Sequence, residues 1–181
     1  MHRPTVVLVF LLVVISCRPD SEKSRAETVN ADRFRFHKEQ EAHFLMEMLD
    51  TYYGLMELAL VGESKIMNPL EKVKVRRIIQ RQTSAMMRLK TFAERRGIEV
   101  PLSGPEKTSV NLTRLKTKEG TKFNEAWVKE MKELQHKLKR DIEGYQRRSA
   151  DTALMHVLDS TLMAVKLNNG IISEIEGRKN K

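Results

Sequence analysis

Apolar residues recur at helical spacing along most of this chain. Leu45, Met48, Tyr52, Leu55 and Ala59 repeat every three or four residues. That is one face of an α-helix, and it predicts a helix from about Phe34 to Val61. The stripe Val75, Ile78, Ile79, Gln82, Met86, Leu89, Phe92 and Ala93 predicts a second, from about Pro69 to Arg96. Asn68-Pro69 gives it a cap and a proline in the first turn; Gly97, Pro101 and Pro105 end it. A third stripe, Phe123, Trp127, Met131, Leu134, Leu138, Ile142 and Tyr145, covers about Thr121 to Arg148. The fourth, Leu154, Val157, Leu158, Thr161, Val165, Asn168, Ile172 and Ile175, covers about Asp151 to Glu176. No strand-like alternation and no internal repeat interrupts them. The pattern predicts an all-α four-helix bundle over residues 34–178. Some 20 residues join the second and third helices, which is long for a compact domain. They fit a crossover with a short helix that tucks Leu112 and Leu115 onto the bundle. The pattern leaves the topology open.

Two segments break the helical period. Val6 to Ile15 is wholly apolar, with Arg3 before it. About half the length needed to span a bilayer, the run has the form of a signal peptide, residues 1–16. It ends Val14-Ile15-Ser16-Cys17, which resembles the bacterial lipobox. In such signals the cysteine thiol receives diacylglycerol and the chain is cut before it. Cys17 is the only cysteine, so it is the expected lipid attachment point, and no intramolecular disulfide can form. Acyl chains there would anchor the protein at a membrane. Residues 17–33 are polar and read as a flexible tether.

Charge refines the picture. The chain carries 33 Lys and Arg against 24 Asp and Glu. Residues 34–63 hold six acids against two bases, a net of −4, and residues 65–96 hold ten bases against two acids, a net of +8. Neighbouring antiparallel helices would then complement each other. A basic second helix, around Lys72, Arg76 and Arg77, could also meet anionic lipid or another polyanion. The bases lack interleaved aromatics, which argues against nucleic acid.

Candidate chemistry is sparse. The chain has no Gly-x-Ser-x-Gly elbow and no glycine-rich phosphate loop. Di-iron bundles use two Glu-x-x-His motifs; here there is one, Glu133 to His136. His136 sits two residues from both Leu134 and Leu138, off the core stripe. Met46, Met48, Met56, Met86 and Met87 could form a thioether copper site, but Met48 and Met86 lie on core stripes, where methionine is a common gap-filler. No cofactor is expected. Gln82 and Asn168 stand on apolar stripes, and Gln135 borders a third. Buried amides need partners or cost about 1–3 kcal/mol, so these three either reach water at the bundle ends or meet in a polar core layer.

The chain resembles the bacterial domain of unknown function 4142, a family grouped with ferritin-like four-helix bundles. The likeness covers about Phe34 to Glu176. It rests on Leu89-Lys90-Thr91-Phe92-Ala93-Glu94-Arg95-Arg96-Gly97-Ile98-Glu99-Val100-Pro101, similar to the family's Gly-Ile-x-x-Pro turn, and on Gly120-Thr121-Lys122-Phe123-Asn124-Glu125-Ala126-Trp127-Val128, similar to its Gly-x-x-Phe-Asp-x-x-Tyr segment. The resemblance implies a ferritin-like bundle in an exported protein, with no established activity. Where the family usually has Asp-His pairs on the second and third helices, this chain has Arg81-Gln82 and Leu134-Gln135; where it has a fourth-helix histidine, this chain has Asn168. Glu57 carries over only by an ambiguous register. The expectation is a non-enzymatic, lipid-anchored bundle of the cell envelope, facing the periplasm. The alternative is a ferritin-like metal or redox protein using Glu57, Glu133, His136 or the methionines.

Overall fold

Helix signals in the sequence become helices wherever a cap or breaker bounds them. The computed structural model describes residues 22–34, 37–101 and 112–177. Among the described residues there are six helices: α1 Glu22–Arg33, α2 His37–Lys65, α3 Pro69–Arg95, α4 over residues 112–116, α5 Gly120–Gln146 and α6 Thr152–Gly177. No strand occurs among the described residues.

α3 shows how the ends are set. The Asn68 side-chain oxygen accepts the backbone N–H groups of Leu70 at 2.9 Å and Glu71 at 3.4 Å, with Pro69 at the first helical position. At the other end Gly97 takes φ 71°, open to glycine at little cost. Its N–H donates to the Glu94 carbonyl and that of Ile98 to the Ala93 carbonyl, both at 2.9 Å. These are the two bonds of a Schellman ending, with buried Ile98 as its apolar contact.

α2 packs on α3 and α5, α6 packs on the same two helices, and α1 packs on α2. α3 and α5 therefore face each other across a diagonal. Lys65, ending α2, bonds Glu119 beside the start of α5 at 2.7 Å. Arg96, ending α3, bonds Glu41 near the start of α2 and Asp151 just before α6. α3 and α5 thus run in the same direction, and the chain between them must travel the length of the bundle. This single long crossover is the connectivity of ferritin-like bundles. Leu112 and Leu115 are buried on the bundle, as expected of the crossover helix.

The N-terminal expectation needs correction. Within the segment read as a tether, Glu22–Arg33 is a helix. Ala26 and Asn30 are buried against α2. The Asn30 amide donates to the Glu99 carbonyl and accepts the Glu99 N–H, both at 2.8 Å. α1 is held mostly by polar bonds to distant residues, so an apolar stripe could not announce it.

The core contains most of the stripe residues, with Trp127, Tyr52 and Phe123 the largest fully buried side chains, while Ile79, Met86, Phe92, Tyr145 and Val157 are only partly buried against it. Leu134 is only half-buried; Gln135 takes the inward position.

Candidate functional site

Four polar side chains, one from each long helix, lie in the interior. Tyr52 comes from α2, Gln82 from α3, Gln135 from α5 and Asn168 from α6. They are 1%, 0%, 1% and 2% exposed, so none reaches water at a bundle end. Their levels follow from contacts between helix surfaces. Thr83 meets Met56, which sets Gln82 about a turn and a half from Tyr52. Lys137 meets Thr51, which sets Gln135 level with Tyr52. Lys74 pairs with Glu174 and Arg96 with Asp151, and interpolation between them puts Gln82 within about one turn of Asn168. All four occupy the middle of the bundle.

Most of their polar atoms are unsatisfied. Both amide atoms of Gln82, both of Gln135, Oδ1 of Asn168 and the Tyr52 hydroxyl are buried without a hydrogen-bond partner. Buried groups of this kind are uncommon, because each costs about 1–3 kcal/mol. Burial pushes the Tyr52 phenol well above its ordinary pKa, so it stays protonated and able to donate. Thr161, also buried, bonds the Val157 carbonyl of its own helix at 2.8 Å. The layer offers neutral donors and acceptors. It does not fit a di-iron centre, which needs carboxylates and imidazoles, and amides are poor ligands for transition metals.

The other expected metal candidates lie elsewhere. Glu57, Glu133 and His136 are exposed. Glu133 and His136 share a shallow groove of about 260 Å³ with Lys129, Lys132 and Glu176, on the outside of α5 and α6. Glu57 does not line it. Met46 and Met48 are buried, Met56 and Met86 half-buried and Met87 exposed. Cys17 lies outside the described residues.

A second polar cluster closes the end of the bundle where α2, α3 and α6 meet. Arg96 bonds Asp151 at 2.5 Å and Glu41 at 3.2 Å, and stacks its guanidinium over Phe92 at 4.6 Å. The Arg96 bond and the Leu154 backbone N–H hold the Asp151 carboxyl below its usual range. Burial raises the Glu41 carboxyl and outweighs the attraction of Arg96. Beside this cluster opens a groove lined by His43, Phe44, Glu47, Lys137 and Tyr145, among others. The Phe44 and Tyr145 rings stack there at 3.9 Å.

The basic helix is partly neutralised by acids of its neighbours and of its own. Arg76 bonds Glu63 of α2 at 2.6 Å, Lys74 pairs with Glu174 of α6, and Lys90 lies 3.9 Å from Glu94. Reading the sequence missed two features. Tyr52 was counted as apolar, although a tyrosine on a core stripe always brings a hydroxyl that needs a partner. Glu27, His43 and Glu47 were not grouped, because only the docking of α1 brings Glu27 to α2. The His43–Glu47 spacing of four was the one visible signal.

No helix among the described residues is long and apolar enough to cross a membrane. Comparison with curated proteins and with solved structures returns no match. Residues 35–171 match the family described as Domain of unknown function (DUF4142), and the chain belongs to that family.

Proposed function

We propose that this protein is a non-enzymatic binding module of the bacterial cell envelope, held at a membrane by acyl chains on Cys17 and facing the periplasm. One observation carries the reading: the only cysteine of the chain directly follows Val14-Ile15-Ser16 at the end of a short apolar run. The start of α1 supports it. Glu22 is five residues beyond Cys17. That stretch spans at most about 18 Å when fully extended, so the bundle would ride close to the bilayer. The core layer also favours binding over catalysis, since amides and a high-pKa phenol are poor general acids and bases near neutral pH.

The test is mass spectrometry of the N-terminal peptide from the membrane fraction. A diacylglyceryl mass on Cys17, with residues 1–16 removed, is the expected result. Cys17→Ser should abolish the lipid and move the protein out of the membrane fraction. An unmodified Cys17 in a membrane-bound protein would overturn the reading. As part of the same proposal, the bases of α3 add attraction to anionic headgroups. Charge reversal at Lys72, Arg76 and Arg77 should then weaken binding of the Cys17→Ser protein to anionic vesicles, most clearly at low salt.

A further inference from the structure

We propose that Glu27, His43 and Glu47 form a binding site for a divalent transition-metal ion of the zinc type, which staples α1 onto α2. Each residue offers one ligand atom, and the three atoms lie within 4.8 Å of one another. His43 and Glu47 are one turn apart on α2 and share a face. Glu27 reaches them from α1. Zinc holds its ligands at about 2.0–2.2 Å, which sets neighbouring donors roughly 3.4 Å apart in a tetrahedron. Small rotamer changes in exposed or half-buried side chains would close the remaining gap.

The donor set selects the ion. One imidazole nitrogen and two carboxylate oxygens suit zinc and its neighbours, while calcium and magnesium prefer all-oxygen shells. Two carboxylates balance the charge of a dication. Three protein ligands leave a fourth position for water or an incoming donor.

The surroundings set what an ion must compete with. Lys23 sits 2.5 Å from Glu47 and 3.4 Å from Asp50. Asp50 is 8% exposed, and its Oδ1 is buried without a partner. One ammonium is therefore shared by two carboxylates. An ion that takes Glu47 must displace Lys23, which keeps Asp50 as its remaining partner. Glu27 lies outside the residues that match the family, and His43 and Glu47 lie inside them. It is independent of lipid attachment.

The experiment is calorimetric titration of the full-length protein in detergent with zinc chloride, and with magnesium and calcium for comparison. One zinc per chain and a higher melting temperature are expected, because a ligand that binds only the folded state stabilises it. His43→Ala and Glu27→Gln should each weaken zinc binding about tenfold or more. Both positions are outside the core, and circular dichroism checks that the variants fold. Lys23→Met, which removes the competing cation, should tighten binding. The paired change Glu133→Gln and His136→Ala should leave it unchanged. Absence of saturable zinc binding overturns the proposal. So does binding that survives His43→Ala and Glu27→Gln, that is lost with Glu133 and His136, or that Lys23→Met fails to strengthen.

Discussion

Trp127 and Gln135 stand eight residues apart on α5 and are buried to the same degree, yet their polar atoms fare differently. The Trp127 indole N–H donates to the Leu58 carbonyl at 2.7 Å. Both amide atoms of Gln135 have no partner. The difference lies in what α2 presents. Opposite Trp127 it presents Gly62, whose missing side chain lets the ring lie against the backbone and reach a carbonyl. Gln135 lies level with Tyr52, and there no α2 carbonyl receives its amide. Burial follows from helical phase alone. Satisfaction depends on how closely the neighbouring backbone can approach.

The well-satisfied region can be broken hardest. Trp127→Ala removes the largest core side chain and should cost about 3–5 kcal/mol, read as a drop in the denaturation midpoint. Gly62→Ala tests the close approach itself. A Cβ there would sit 2.4 Å from the indole nitrogen and 2.5 Å from Cε2, so the ring must shift. Overpacking of this kind should cost about 1–3 kcal/mol. The two positions are in contact, so their effects should not add. In a Trp127→Leu background, Gly62→Ala should lose most of its cost. Strict additivity in that double-mutant cycle would refute the packing argument.

The unsatisfied layer should respond with the opposite sign. Gln82→Leu or Gln135→Leu replaces a partnerless buried amide with an apolar side chain of similar size. Each should raise stability by about 1 kcal/mol, by relieving part of the desolvation penalty. Destabilisation by either change would mean that the amides serve one another through ordered water, which high-resolution crystallography would locate.

How much of this was legible follows from where each signal resides. The four long helices were readable because caps and breakers such as Asn68, Pro69 and Gly97 are local, and because the core stripes keep a fixed period. The buried positions of Gln82 and Asn168 were readable for the same reason. Leu134 and Gln135 were harder: they differ by one residue in phase, and hydropathy favoured the leucine, whereas the helix rotation set by Met131 and Leu138 favours the glutamine. α1 was not legible. Its anchor, Asn30, bonds Glu99, which is 69 residues away, and no local pattern carries such a contact. The length of the link from α3 to α5 pointed to a crossover, but the diagonal placement of these two helices was hidden, since it depends on which helices pair rather than on what any one contains.

The smallest expected effect comes from the end of the bundle, where polar groups are paired and partly wet. Asp151 does two things there: its Oδ1 accepts the Leu154 N–H at 3.0 Å as the cap of α6, and its Oδ2 bonds Arg96. Asp151→Asn keeps the cap, since asparagine caps about as well as aspartate, and removes only the charge. Both side chains are partly exposed, 28% for Asp151 and 34% for Arg96, so the loss at neutral pH should be under about 1 kcal/mol. The folded-state pKa of Asp151 is lowered, so its ionic contribution is present above the ordinary carboxylate range and vanishes as pH falls through the lowered value. Wild type and variant should therefore converge in stability in strong acid. Glu41 reduces the difference further. The Asp151 charge helps to raise the Glu41 carboxyl, and removing that charge leaves Arg96 to Glu41 alone. Denaturation midpoints measured against pH, with Glu41→Gln added as a second change, should show a larger Asp151→Asn loss once this compensation is gone.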